Sequence, residues 1–166
     1  NKFAISDYGV VFDKMAFSEK PVLIPQVEYF TNDSWQLVSG LGYENNFPIL
    51  IKCSYGKGSL YILTIPDDFG DLYYYPAEVL YPVRAAFSNN SGIIIDTVSK
   101  ISLFTYDNGS FVLKSFLPFP QEVAITVNRP DICLIDIVSG EQINGFGCGN
   151  KTIFNVKIAP MSYRAY

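Results

Sequence analysis

The chain has no histidine among its 166 residues. Imidazole is the base of Ser-His-Asp and Cys-His nucleophilic systems and a standard ligand of catalytic zinc, so this chain alone assembles none of these. Cysteine is scarce. Cys53, Cys133 and Cys148 show no CxxC spacing, and an odd number cannot all pair with one another. Cys53 and Cys133 lie in apolar, strand-like runs where a free thiol packs as a small hydrophobe, and all three read as structural. Basic residues are outnumbered, 12 against 16 acidic, for a net charge of −4. With no basic run, a phosphate backbone meets no attractive surface, which argues against nucleic acid as a partner. No stretch approaches the ~20 continuous apolar residues of a membrane-spanning helix, so no membrane partner is expected either. An initiator Met and a signal peptide are both missing, and the start at Asn1 reads as a processed or excised piece of a longer chain.

Apolar residues, by contrast, are plentiful. They make up 49% of the chain, with 12 Tyr and 13 Phe, enough to build a core and to disfavour disorder. Tyr and Phe favour strands. The first part reads as strand and loop: Tyr8–Phe12, then Val22–Pro25, an alternating Gln26–Phe30, and Trp35–Val38 ending at Ser39-Gly40. Phe47–Ser54 and Leu60–Ile65 flank the glycine turn Tyr55–Ser59, the pattern of a β-hairpin. A phosphate-cradling loop needs a helix after its glycines, whereas the β-favouring Leu60–Ile65 follows here. A helix is expected near 76–88, with Val79, Leu80, Val83, Ala86 and Phe87 on one face. Pro82 inside it predicts a kink or two short pieces. The polar stretch Ser88–Gly92 ends this segment and sets the expected boundary between a strand-rich α+β part, 1–91, and a second part, 92–166.

Beyond that boundary the pattern is strand throughout. Ile93–Ile95, Ile101–Tyr106, Phe111–Phe116, Val123–Val127, Ile132–Val138 and Thr152–Ala159 are separated by turn residues, and Met161–Tyr166 adds a possible edge strand. Asp107-Asn108-Gly109 between two alternating runs is a strong hairpin signal. Ser139-Gly140-Glu141 is a further turn, and Gly145–Gly149 reads as a loose loop. Five to seven short strands at this spacing predict an antiparallel β-sandwich. The fold class is therefore mainly β, α+β overall.

Two groups of residues suggest chemistry. Asp67, Asp68, Asp71 and Glu78 form the one acidic cluster. Paired carboxylates serve glycoside hydrolysis when about 5–10 Å apart across a cleft, and calcium loops need oxygen ligands at alternating positions. The spacing matches neither template well, and Asp ahead of a helix commonly caps it. These residues thus stand as weak metal candidates (Asp67, Asp68, Asp71) and as the basis of a hydrolase alternative. Trp35 and the triplet Tyr73-Tyr74-Tyr75 are the candidate ligand-binding residues, since exposed aromatic faces stack on sugars. Three consecutive tyrosines cannot all point inward, so at least one is expected to face solvent or a partner. No cofactor is expected. Asn32-Asp33-Ser34, Asn89-Asn90-Ser91, Asn108-Gly109-Ser110 and Asn150-Lys151-Thr152 match the glycosylation acceptor pattern.

The stretch Tyr55-Gly56-Lys57-Gly58-Ser59-Leu60-Tyr61-Ile62-Leu63 resembles a strand pair found late in glutamine-amidotransferase-like domains of multidomain glycoside hydrolases, where it closes the α/β fold and carries no catalysis. Ile132–Ser139, with Phe154–Tyr163 ending in Ala159-Pro160-Met161-Ser162-Tyr163, resembles the terminal β-sandwich of such enzymes. The resemblance covers about half the chain and transfers no catalytic residue. It implies a non-catalytic accessory C-terminal region of a carbohydrate-active protein, with an upstream catalytic domain of the same parent chain as partner. A carbohydrate-binding module using the exposed aromatics is the alternative.

Overall fold

The computed structural model describes residues 1–7, 14–30, 33–43, 45–88 and 90–166. The apolar piece Tyr8–Phe12, and the asparagines Asn32 and Asn89 of two acceptor motifs, lie outside the described residues. The chain forms two compact units, Asn1–Ala86 and Phe87–Tyr166.

In the first unit, β1 (Lys2–Ile5), β2 (Lys14–Phe17), β3 (Ser34–Leu41), β4 (Asn46–Tyr55) and β5 (Gly58–Leu63) form an antiparallel sheet ordered β2-β1-β3-β4-β5. The β4–β5 hairpin expected from the glycine turn is present: Tyr55 pairs with Gly58, and Gly56 takes the positive φ, 57°, that a tight turn requires. Strand β3 runs past its expected end because Gly40 lies beneath the Phe47 ring of β4. A Cβ at Gly40 would sit 2.4 Å from that ring.

Val22–Phe30 forms no regular element. Pro21 and Pro25 have no N–H for a ladder. The Asn1 side chain instead takes the place of a strand partner, donating through Nδ2 to the Val22 carbonyl and accepting from the Val22 N–H, each at 2.8 Å.

A 3-10 helix, Phe69–Tyr74, precedes α1 (Ala77–Ser88). The helix α1 is continuous through Pro82, which corrects the two-piece alternative. Proline removes only the one bond that would return to the Glu78 carbonyl, and the helix is held by packing rather than by propensity. Val79 is fully buried in a core with Phe3, Val38, Leu50 and Tyr75, and Leu80 and Val83 pack at its margin. The face stops short of the sequence expectation, because Phe87 is 77% exposed.

The second unit contains β6 (Ile93–Asp96), β7 (Ile101–Thr105), β8 (Phe111–Ser115), β9 (Gln121–Val127), β10 (Cys133–Ile135), β11 (Gln142–Asn144), β12 (Phe146–Cys148), β13 (Lys151–Ile158) and β14 (Tyr163–Ala165). One sheet runs β12-β13-β9-β6, a second β14-β8-β7, and β10-β11 make a separate ribbon. Alternation along the strands sends Ile93, Ile95, Val123, Ile125, Phe154, Val156 and Ile158 from the first sheet, and Ile101, Phe111 and Leu113 from the second, into one buried cluster. Two antiparallel sheets sharing one core make this unit a β-sandwich, and the chain as a whole is mainly β.

Several details depart from the sequence reading. Gly145–Gly149 is not a loose loop: it carries β12, paired with β13. A Cβ at Gly145 would lie 2.5 Å from Thr152 Cγ2 and 2.7 Å from the Ile153 carbonyl oxygen, so glycine is what permits the close approach. The Ile132–Val138 run supplies only a three-residue strand, because Asp136 turns the chain. In the Asp107-Asn108-Gly109 hairpin, Gly109 takes positive φ, 85°, and Asn108 does not. Asn108 Oδ1 instead accepts from the backbone N–H and the hydroxyl of Ser110, at 3.0 and 2.7 Å. Cys53, Cys133 and Cys148 form no disulfide, and Cys133 is exposed rather than buried in its strand, as is Cys148 in β12.

Candidate functional site

The acidic cluster is used by the backbone around it. Asp68 is the N-cap of the 3-10 helix, its Oδ1 accepting the Gly70 N–H at 2.8 Å, and the Asp68 carbonyl accepts from Asp71 N–H. Asp67 donates its N–H to the Leu23 carbonyl at 3.0 Å. Asp67, Asp68 and Glu78 are exposed and Asp71 is half-buried. Among the described residues no three His, Cys, Asp or Glu side chains are grouped to hold a metal ion.

The tyrosine triplet divides at the end of the 3-10 helix: Tyr73 and Tyr74 lie in its last turn, where side chains point about a third of a turn apart, and Tyr75 is its extended C-cap. Tyr73 is exposed, Tyr74 lies beneath Lys20 with Nζ 4.7 Å from the ring centroid, and Tyr75 is buried. The Tyr75 ring meets Phe3 at 5.4 Å, and its hydroxyl has no hydrogen-bond partner among the described residues. Burial, and secondarily the charge of Asp71, push its pKa up to about 12. Trp35 is half-buried on β3, where it lines a shallow groove of about 370 Å³ with Ser6, Gln36, Ser39 and Asn46. These four aromatics therefore do not share a common exposure. Of the four, only Tyr73 is exposed, while Trp35 and Tyr74 are half-buried.

A buried, multiply bonded carboxylate lies in the second unit, outside the residues singled out from the sequence. Asp136 is 4% exposed. Its Oδ1 accepts the N–H groups of Val138 and Ser139, each at 3.0 Å, and its Oδ2 accepts Arg164 Nε at 2.8 Å. The other end of that guanidinium pairs with Glu141. Burial by itself would raise the Asp136 pKa, but the bond from Arg164, the two turn N–H groups and the guanidinium charge hold it below its ordinary value. The Arg164 pKa is raised: burial opposes its charge, and the two carboxylates more than offset that.

The result is a clamp. Ile137 N–H donates to the Ala165 carbonyl at 2.8 Å, and Phe111 and Tyr166 exchange backbone bonds at 2.8 and 2.9 Å, so β14 is fixed both to the β10–β11 ribbon and to β8. Tyr166 packs on Phe111 with centroids 5.0 Å apart, and Arg164 covers its ring at 5.6 Å. A sequence signal existed. Asp136 breaks an apolar run three residues ahead of Ser139-Gly140, the arrangement of an Asx turn. Its partner Arg164 lies 28 positions away and could not be read from spacing.

Two cavities open on this unit. One is an apolar slot of about 450 Å³, lined by Ile93, Phe111, Val127, Leu134, Ile137 and Tyr166 among others. The second is a polar groove of about 690 Å³ whose walls include Asn90, Thr105, Tyr106, Asp107 and Arg129.

Residues 92–166 match a family model described as "Probable glycosyl hydrolase, C-terminal domain". The matched span begins one residue before β6 and ends with the last residue of the clamped strand region, so it takes in every strand of the second unit. Residues 92–166 are thus similar to the C-terminal domain of probable glycosyl hydrolases. The match begins well after the Tyr55–Leu63 hairpin, whose likeness to glutamine-amidotransferase-like domains finds no support in the comparisons. No curated protein and no solved structure matches the chain. Among the described residues no helix is long and apolar enough to cross a membrane.

Proposed function

We propose that this chain is a non-catalytic accessory C-terminal region of a glycoside-hydrolase-like protein, and that it packs on and stabilises a catalytic domain of the same parent chain. The single observation that carries the reading is the family match over residues 92–166. The physical support is apolar surface that the second unit leaves uncovered. Ile135, Ile137 and Val138 are consecutive or nearly so around the Asp136 turn, and all three are exposed. Grouped exposed aliphatic side chains of this kind are the surface that interdomain contacts bury. The Asp136–Arg164–Glu141 clamp holds that turn in one shape, which such a contact requires.

The test is a pair of parent proteins, intact and lacking the residues equivalent to 92–166. The truncated form is expected to unfold at lower temperature and to retain its turnover per folded molecule, measured by calorimetry and by hydrolysis of aryl glycosides. Equal thermal stability of the two forms would remove the reading.

A further inference from the structure

Strand β5 is an edge of the first unit's sheet, and only one side of its backbone is in use. Beyond its last paired residue, the Thr64 N–H donates to the Ile49 carbonyl at 2.8 Å. Hydrogen-bonded and non-bonded pairs alternate along an antiparallel ladder, so that bond fixes the phase of the whole strand. Gly58, Leu60 and Ile62 turn their N–H and C=O groups toward β4, while Ser59, Tyr61 and Leu63 turn theirs outward. Among the described residues nothing bonds to these outward groups. Exposed edges are ordinarily blunted by a charge, a proline or a bulge. Gly58–Leu63 has no charge and no proline, and it pairs with β4 without a register shift. The opposite edge, β2, is only four residues long and starts at Lys14. Leu60 and Ile62, on one face of β5, are 45% and 44% exposed.

The edge is complementary to itself. An antiparallel copy of β5 centred on Tyr61 sets Tyr61 against Tyr61 and Ser59 against Leu63, so every outward-facing residue meets another and exchanges both bonds with it. The same register puts Leu60 against Ile62 at the non-bonded positions, where Cα atoms approach to about 4.5 Å and side chains are closest. Lys57, exposed in the turn, then lies diagonal to exposed Asp67 of the other copy, a separation of about 7–8 Å within reach of a long side chain. Neither Lys57 nor Asp67 forms an ion pair among the described residues. Bonds, apolar pairs and opposite charges thus match in one register, which is the condition for an isologous two-fold contact. We infer that the first unit pairs through β5 with a second copy of this chain, making one continuous sheet across the two. The contact closes on itself, so association stops at the dimer. It uses the first unit alone and stands apart from the docking face proposed around Asp136.

The experiment follows the full chain by sedimentation equilibrium from micromolar to millimolar concentration, with amide exchange read by NMR over the same range. The mass is expected to rise from one chain to two and no further. Over that rise the Ser59, Tyr61 and Leu63 amides are expected to exchange about tenfold more slowly or better, while those of Leu60 and Ile62, already bonded to β4, change less. Ile62→Lys sets a charge against Leu60 of the second copy and is expected to leave a monomer. Met15→Lys, on the opposite edge, is expected to dimerise as the wild type does. Lys57→Glu should weaken the dimer about fivefold, and adding Asp67→Lys should restore it. Only contact between copies gives that rescue, since Lys57 and Asp67 stand beyond opposite ends of β5 within one chain. Trp35 fluorescence and circular dichroism show whether each variant is folded. The inference is overturned if the chain stays monomeric at millimolar concentration or if folded Ile62→Lys associates like the wild type. It is equally overturned if the mass rises while the Ser59, Tyr61 and Leu63 amides gain no protection, or if the charge exchange restores nothing.

Discussion

Asp136→Ala removes the centre of the C-terminal clamp, and its cost follows from the three bonds that the carboxylate accepts. A hydrogen bond to a charged group contributes about 1.5–3 kcal/mol, and a neutral one about 1 kcal/mol. Val138 and Ser139 are exposed, so water restores much of what their N–H groups lose. Arg164 recovers less. Its side chain is 18% exposed, and it would keep the more solvent-exposed Glu141 and a long bond to the Lys157 carbonyl as partners. The expected loss is about 3 kcal/mol, at the lower end of the about 3–5 kcal/mol found when one partner of a buried pair is truncated. For a unit of 60–100 residues this corresponds to a fall in Tm of about 12–24 °C. Trp35, the one tryptophan, lies in the first unit, so its fluorescence is a poor reporter here. Urea unfolding followed by circular dichroism, with amide exchange at Phe111 and Tyr166, reads the affected region directly. A loss under 1 kcal/mol with those amides still protected would refute the argument that the clamp fixes β14.

The same carboxylate sets an acid limb. Its folded pKa lies below the ordinary 3.8, so its contribution is present above that value and disappears as pH falls through the folded pKa. Unfolding measured between pH 5 and pH 2 should show this slope in the wild type and a flatter one in Asp136→Asn. At the alkaline end, Tyr75 with a pKa of about 12, against 10.0 when solvated, makes the first unit lose stability as pH rises from 10 to 12. Tyr75→Phe should remove part of that loss and, by deleting a buried hydroxyl without a partner, stabilise the unit at pH 7 by up to about 1 kcal/mol. Gly40→Ala drives a methyl into the Phe47 ring and should cost about 1–3 kcal/mol, read from Trp35 fluorescence during denaturation.

Local pattern was sufficient for much of the architecture. The absence of histidine means that this chain alone assembles no imidazole-dependent site, whatever its fold. The Tyr55–Ser59 and Asp107–Gly109 hairpins were legible because turn chemistry and strand alternation are both short-range, and the helix near 76–88 because Val79, Leu80 and Val83 repeat at helical spacing. What local pattern could not supply was pairing across distance. Asp136 and Arg164 are ordinary residues until the fold brings them to 2.8 Å. Phe87 completes a helical stripe in sequence yet stays in solvent, since burial depends on what lies opposite. The three tyrosines are identical in sequence, and only the last turn of a 3-10 helix and its extended C-cap send Tyr73 outward, Tyr74 beneath a lysine and Tyr75 into the core. Periodicity fixes which residues share a face, but packing decides whether that face is covered, and the energy of a buried charge exists only once its partner has arrived.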